Sequence, residues 1–155
     1  MELGKLIELS LKFLHKSPGK CHKLRRSCNV KLMVKLETKF WHEVKKNTSQ
    51  IVWTRIENTG TFGTPDLLGY NKNHFFFTVE LKVTRSNKIR FSPHQIAFHI
   101  THPINSFILV KHLGPCTVKL YSGSAVRKLD ACGLKLEPLC LGLEACGLML
   151  SKLGA

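Results

Sequence analysis

Acidic side chains are scarce in this sequence. The chain of 155 residues contains 10 Asp and Glu against 24 Lys and Arg, which gives a formal net charge of +14. A protein of that charge attracts phosphate backbones or anionic membrane surfaces. We therefore expect a nucleic acid, DNA or RNA, as the partner.

Several familiar patterns are also absent. No apolar stretch approaches the ~20 residues of a membrane span, and charges at positions 5, 8 and 12 interrupt the N-terminal run that a signal peptide needs. The sequence has no phosphate-binding loop, no nucleophile elbow and no pair of histidines at the helical zinc spacing. These absences predict a cytoplasmic protein without a membrane partner, with histidines at its surface or facing DNA.

The cysteines follow no metal-site pattern. None of the six belongs to a C-x-x-C pair or has a regular spacing with histidine. We expect free thiols in a reducing compartment, with disulfides or zinc as the alternative. The six are Cys21, Cys28, Cys116, Cys132, Cys140 and Cys146.

The few acids in the middle of the chain lie beside apolar residues. Between positions 51 and 100 the only acids are Glu57, Asp66 and Glu80. Burying a carboxylate is costly unless it is paired or binds a metal. Ordinary surface acids fit these apolar neighbours poorly, so we interpret Asp66 and Glu80 as a divalent-cation site within a surface that binds a polyanion.

These two acids are predicted to face each other across a β-hairpin. Residues 75–83 are aromatic and β-branched, residues 66–70 form a shorter strand, and residues 71–73 are typical of a turn. A turn centred near position 73 pairs residues whose numbers sum to about 146. Asp66 then lies opposite Glu80, with Cβ atoms roughly 5 Å apart.

Alternation along the second strand separates the charged residues from the core. Glu80 and Lys82 share one face, whereas Val79, Leu81 and Val83 share the other, which can pack on the core. Two carboxylates at this separation suit one divalent ion. Hard oxygen ligands favour Mg²⁺ or Mn²⁺.

The whole chain has the element order of an α/β fold, with a mixed sheet flanked by helices. The first helix of the central part of the chain is expected over residues 35–46, with Leu36, Phe40 and Val44 as its apolar stripe. Residues 134–155 are assigned only as a covering helix or a dimer contact. The other elements are expected as strands at 51–57, 106–110 and 117–121 and as helices over 93–102 and 125–131.

We divide the chain into a basic N-terminal extension (1–32), a central domain that carries the site (33–131) and a C-terminal segment (132–155). A short amphipathic helix is predicted over 1–14, followed by a flexible basic arm over 15–31. The cations expected to contact nucleic acid are Lys23, Arg25 and Arg26 in the arm, Arg55 on the first strand, and Arg85, Lys88 and Arg90 in the loop after Lys82. The alternatives are a solvated loop and an ion pair between Arg55 and Glu57.

Gln95 has a structural explanation. Ser92 suits the N-cap of a helix, Pro93 suits its first position, and Gln95 suits the capping-box position that reaches back to the Ser92 amide. This capping role accounts for Gln95 completely. A role in chemistry needs other support.

The hairpin motif resembles the signature of the PD-(D/E)XK nuclease superfamily. The matching residues are Pro65-Asp66 and, on the next strand, Glu80-Leu81-Lys82. The surrounding segments 55–58, 63–66, 79–83 and 92–95 are similar to small stand-alone VRR-NUC and Holliday-junction-resolvase-like nucleases of phages and bacteria. The resemblance covers residues 36–121 and implies a restriction-endonuclease-like core.

The resemblance also implies roles for individual residues. Asp66, Glu80 and the backbone carbonyl of Leu81 would hold Mg²⁺ or Mn²⁺. Lys82 would orient the attacking water or stabilise charge on the phosphate. Gln95 would help to position that water or Lys82.

Three further acids match the family less directly. Glu37 corresponds to the helical acid that can assist a second metal, and Glu43 is a stand-in for it. Glu57 corresponds to a strand acid whose role varies across the superfamily.

The function that follows is metal-dependent DNA cleavage. A divalent ion makes water a better nucleophile and polarises the phosphoryl oxygen, so that hydrolysis leaves a 5′-phosphate. Branched DNA such as a Holliday junction is the expected substrate, and cutting its two opposed strands implies a homodimer. The alternatives are a duplex-nicking or restriction-like nuclease and a noncatalytic DNA-binding protein of the same fold.

Overall fold

The computed structural model describes residues 19–56 and 63–155, and only the backbone of residues 19–31 and 33. Contacts divide the chain into two units between Lys35 and Leu36. The predicted helix over 1–14 and the acid Glu57 lie outside the described residues. Within the described ranges, no helix is both long and apolar enough to cross a membrane.

The first helix, α1, is longer than the sequence patterns predict. It runs from Gly19 to Asn47, so it includes a stretch that we expected to be a flexible arm. After Gly19 this stretch contains neither proline nor glycine, and it is rich in Lys and Arg, which are good helix formers. The flexible-arm prediction is therefore wrong for residues 19–31.

The second unit contains the C-terminal part of α1, a sheet and three further helices. The strands are β1 (Val52–Arg55), β2 (Leu67–Tyr70), β3 (Phe76–Thr84), β4 (Ser106–His112), β5 (Thr117–Ser122) and β6 (Cys140–Leu141). The helices are α2 (Pro93–Thr101), α3 (Val126–Cys132) and α4 (Leu143–Ser151).

The sheet is mixed. Its six described strands follow the chain order from β1 to β6, and every neighbouring pair is antiparallel except β3 and β4. Parallel neighbours need a crossover connection, and α2 supplies it. The predicted α/β class with a mixed sheet flanked by helices is confirmed.

The two faces of the sheet carry different cores. On one face an aromatic chain links α1 to the sheet: the ring centroids of Trp41 and Trp53 are 6.4 Å apart, those of Trp53 and Phe77 are 5.6 Å apart, and those of Phe77 and Phe107 are 6.2 Å apart. The opposite face carries a mainly aliphatic core against α3. Its buried residues include Ile108, Val110, Tyr121, Val126 and Leu129.

The C-terminal segment, which the sequence left open, forms β6 and α4. The side-chain amide of Asn71, in the β2–β3 turn, donates hydrogen bonds to the carbonyls of Leu150 (3.0 Å) and Leu153 (2.9 Å). The segment therefore covers the turn of the hairpin. The cysteines whose side chains are described are all free thiols, namely Cys116, Cys132, Cys140 and Cys146.

Candidate metal and nucleic-acid site

The hairpin has the register that the sequence predicts. Leu67 pairs with Val79 at the end of the ladder, and extending the same register by one residue places Asp66 opposite Glu80. Both pairs sum to 146. Directly opposed residues of an antiparallel pair point to the same face, so the two carboxylates share a face of the sheet.

Asp66 lies immediately before β2, where the ladder between β2 and β3 ends. Its Oδ2 accepts a hydrogen bond from the backbone N–H of Leu81 at 2.7 Å. The N–H and C=O of one strand residue point to the same side of the strand, so the Leu81 carbonyl points to the side of β3 on which Asp66 lies. The pKa of Asp66 is raised because burial outweighs the other effects. The hydrogen bond from the Leu81 N–H and the positive charges of Lys82 and Arg55 lower this pKa, but by less.

Glu80 is a buried carboxylate with only one satisfied oxygen. The residue is 1% exposed, and Oε1 accepts from Lys82 Nζ at 2.9 Å and from the amide of Gln95. Oε2 is buried and finds no hydrogen-bond partner among the described residues. Burial, with repulsion from Asp66, raises the pKa of Glu80 to about 7 despite the attraction of Lys82.

Gln95 serves both as a helix cap and as a contact of the site. Its Oε1 accepts from the backbone N–H of Ser92 at 3.0 Å, and Ser92 Oγ accepts from the Gln95 N–H at 3.2 Å, which completes the predicted capping box. The same Oε1 accepts from Lys82 Nζ at 3.1 Å. The Lys82 ammonium also lies 5.6 Å from the ring centroid of Phe91, so it is held on three sides.

The two candidate acids of α1 have different surroundings. The charges of the hairpin site act on Glu37. Burial raises the pKa of Glu37, the positive charge of Lys82 lowers this pKa, and the negative charge of Asp66 raises it. Glu43 instead forms an ion pair with Lys111. Glu37 is therefore the acid of α1 that interacts electrostatically with Asp66 and Lys82, whereas Glu43 pairs with Lys111.

The predicted phosphate-contacting cations divide into described and undescribed groups. Arg85, Lys88 and Arg90 are exposed on the loop after β3, and Arg55 is exposed at the end of β1. The loop is anchored, since its Asn87 carbonyl accepts from the N–H of Leu134 at 2.7 Å. Three other cations lie on the part of α1 with undescribed side chains, namely Lys23, Arg25 and Arg26.

A cavity of about 750 Å³ lies between this loop and residues 130–137. Lys88, Arg90 and Lys135 contribute to its lining, and neither Asp66 nor Glu80 does. The cavity and the pair of acids are separate features of the surface.

The acids of the hairpin do not form a complete metal cage by themselves. Within residues 19–56 and 63–155, no three Asp, Glu, His or Cys side chains converge closely enough to hold a metal ion. A cation bound here would use the Asp66 and Glu80 carboxylates and the Leu81 carbonyl. The unpartnered Glu80 Oε2 fits that use, because a buried anionic oxygen without a donor is costly and a hard cation would satisfy it.

His99 contradicts the expectation of surface or DNA-facing histidines. It is 1% exposed, and its Nδ1 lies 2.7 Å from Ser106 Oγ. Burial and the charge of Lys82 lower the pKa of His99 to about 4. His99 follows Gln95 by four residues on α2, so both side chains face the sheet. That spacing is the signal that could have identified His99 as a neighbour of the site, whereas no pattern pointed to Phe91.

No protein-family model matches the chain, and a search of curated proteins finds no relative. The functional assignment therefore depends on the geometry of the site and on its motif, and not on fold alone.

Proposed function

We propose that this protein is a metal-dependent DNA endonuclease with a restriction-endonuclease-like core. The observation that carries the proposal is the placement of Asp66 and Glu80 opposite each other, with Lys82 on the same face two residues beyond Glu80. An acid pair with an adjacent ammonium is suited to phosphodiester hydrolysis. It provides ligands for a cation and a positive charge for the phosphate.

The strand arrangement supports this core. The acids lie on a hairpin, β2–β3, whose second strand continues through α2 into the parallel strand β4. The crossover helix brings Gln95 back over β3, against Glu80 and Lys82. The segment from Asp66 to Gln95 thus supplies most of the residues of the proposed active site.

Asp66, Glu80 and the Leu81 carbonyl would hold Mg²⁺ or Mn²⁺. A bound ion of this kind supplies Lewis acidity, which activates water and polarises the phosphate. All three ligands are oxygens, as hard divalent cations require. The observation that supports this assignment is Glu80 Oε2, which is buried and has no hydrogen-bond partner among residues 19–56 and 63–155.

The remaining residues position groups and charge. Lys82, held by Glu80 and Gln95, orients the attacking water or stabilises the developing negative charge on the phosphate. Gln95 fixes the Lys82 ammonium through Oε1. Glu37 adds negative charge near Asp66 and can assist a second cation.

The charge distribution favours a nucleic acid as the substrate. Residues 81–129 contain no acidic residue, so the segment that follows Glu80 is basic or neutral throughout. Its exposed cations Arg85, Lys88 and Arg90 are available for phosphate contacts. Branched DNA such as a four-way junction is the preferred substrate in this proposal, and two copies of the chain would cut its opposed strands.

A panel of DNA substrates tests the proposal. Supercoiled plasmid, flap and four-way-junction DNA are incubated with the protein in Mg²⁺, in Mn²⁺ and in excess chelator. We expect cleavage with either metal, none in chelator, and the highest rate on the junction. Preferential plasmid nicking would indicate the duplex-cutting alternative, and DNA binding without cleavage under every condition would indicate a noncatalytic protein.

A further inference from the structure

A row of three exposed or half-buried apolar side chains crosses three strands of the sheet. Val52 on β1 pairs with Tyr70 on β2, and Tyr70 pairs with Phe76 on β3. Val52 is 67% exposed and Phe76 is 59% exposed. Directly paired residues share a face, so the three side chains form one continuous surface, which we call the aromatic row.

The rings of the aromatic row are held in place. The ring centroids of Tyr70 and Phe76 are 4.5 Å apart, with 37° between the ring planes. The Tyr70 hydroxyl lies 2.6 Å from His74 Nδ1, which fixes the outer end of the phenol. The pair therefore presents a preorganised π surface to solvent.

The aromatic row and the acids occupy the same face of the sheet. Phe76, Thr78 and Glu80 alternate along β3 and therefore point to one side. Phe76 and Glu80 are four positions apart along the strand, which corresponds to about 13 Å. A stacked nucleic-acid strand advances about 3.4 Å per nucleotide, so this distance spans no more than about four nucleotides.

The charge around the aromatic row suits a polyanion. Residues 67–79 contain no acidic residue, and the turn carries the exposed Lys72 and His74. An aromatic pair whose Phe76 ring is exposed, beside the Lys72 ammonium, can stack unpaired bases whatever their sequence. Bases within a duplex are unavailable because they are already stacked on one another.

We propose that Tyr70 and Phe76 form a platform on which unpaired bases of a single-stranded nucleic-acid segment stack, up to about four nucleotides from the phosphate at Glu80. This inference rests on the proposed nuclease function and narrows its substrate to DNA with unpaired nucleotides near the cut. The platform contributes binding energy and position, and it takes no part in the chemistry.

A second copy of the chain is a weaker candidate for the occupant. An aromatic side chain has about 150–250 Å² of surface. The aromatic row therefore offers at most a few hundred Å², whereas a stable protein interface buries about 800 Å² on each partner. The area is sufficient for one or two bases.

Binding measured without cleavage tests the platform. A fluorescent single-stranded oligonucleotide and the matching duplex are titrated with the full chain in EDTA, by fluorescence anisotropy. We expect Phe76→Ala to weaken single-strand binding roughly five- to hundredfold and to change duplex binding little. Phe76→Leu, which keeps an apolar side chain and removes the π face, should weaken single-strand binding similarly. Phe76→Trp, which keeps an aromatic ring, should retain the wild-type single-strand affinity.

Leu148→Ala is the matched control. Leu148 is also an exposed apolar residue, at 53%, but it lies on α4. Its removal should leave the single-strand affinity unchanged. Melting temperatures of all variants check that the fold persists.

The outcomes separate the platform from the nuclease. Unchanged single-strand affinity in both Phe76→Ala and Phe76→Leu would overturn the platform, even if the protein cuts DNA. Selective weakening in these variants would support it, even if cleavage were never observed. A wild-type dimer in analytical ultracentrifugation that Phe76→Ala dissociates, with unchanged oligonucleotide affinity, would replace the platform with a protein interface.

Discussion

The Lys82 ammonium lies 3.1 Å from Oε1 of Gln95, the same oxygen that accepts the backbone N–H of the helix cap Ser92. One side-chain oxygen thus joins the start of α2 to the charged face of β3. The start of the helix and the position of the ammonium are fixed by the same group. Changes at Gln95 therefore have two consequences that can be measured separately.

Gln95→Ala should lower both stability and cleavage. It removes half of the capping box and the contacts to Lys82 and Glu80. Ser92→Ala removes the cap alone. We expect both variants to lose about 1 kcal/mol of unfolding free energy, but only Gln95→Ala to lower kcat. Equal kcat values for the two variants would show that Gln95 is only a cap.

The buried Glu80 should make the metal-free protein less stable as pH rises. Its folded pKa of about 7 exceeds the ordinary value of 4.5, so the folded state binds this proton more tightly than the unfolded chain. The free energy of unfolding then falls between about pH 4.5 and pH 7, by roughly 3 kcal/mol from this group. The raised pKa values of Asp66 and Glu37 act in the same direction.

His99 opposes this effect. Its pKa is lowered from 6.5 to about 4, so the contribution of His99 to the free energy of unfolding increases as pH rises from about 4 to 6.5. The difference between wild type and Glu80→Gln therefore isolates Glu80. In urea unfolding with EDTA between pH 5 and pH 8, the wild type should lose stability relative to Glu80→Gln as pH rises. Parallel curves would contradict the assigned pKa.

The two acids of α1 should differ in their effect on cleavage. Glu37→Gln removes a charge that acts on Asp66 and Lys82, whereas Glu43→Gln removes a partner of Lys111. We expect a lower cleavage rate for Glu37→Gln only, and a stability change within about 1 kcal/mol for Glu43→Gln. Matched initial rates on one junction substrate decide the question. A larger loss of activity in Glu43→Gln would reverse the assignment.

Gly133→Ala should loosen the loop that carries Arg85, Lys88 and Arg90. Gly133 has a φ of +61°, and an added Cβ would lie 1.9 Å from the Asn87 carbonyl oxygen. We expect a loss of about 2 kcal/mol or more of unfolding free energy. Gly142→Ala is the control, because its φ is +92° but nothing lies within 4 Å of its Cβ position. Equal losses in thermal or urea unfolding would mean that backbone conformation alone, without the clash, sets the effect.

Local sequence rules predicted the parts of the structure that depend on local interactions. The hairpin register follows from a turn centred near position 73 and from strand alternation, which together predict that Asp66 lies opposite Glu80. The cap at Ser92 and Gln95 follows from residue types three positions apart. These features need no knowledge of distant contacts.

The structural features that the sequence did not predict have two causes. Either the composition of a segment suggested a different structure, or the feature depends on contacts between residues far apart in the chain. The positive charge of the stretch after Gly19 suggested a flexible arm, but its residues have high helix propensity and form part of α1. The burial of His99 depends on Ser106, which follows on the next strand. The place of α4 is set by hydrogen bonds from Asn71, about eighty residues earlier in the chain.

The rate of Mg²⁺-dependent cleavage of a four-way junction by Asp66→Ala, relative to wild type, tests the central claim most directly. The binding of the same junction in EDTA is measured in parallel. We predict that Asp66→Ala loses at least about a hundredfold in cleavage rate and retains junction binding, because the basic surface supplies the affinity. Wild-type cleavage by Asp66→Ala would contradict the assignment of the hairpin as the catalytic site.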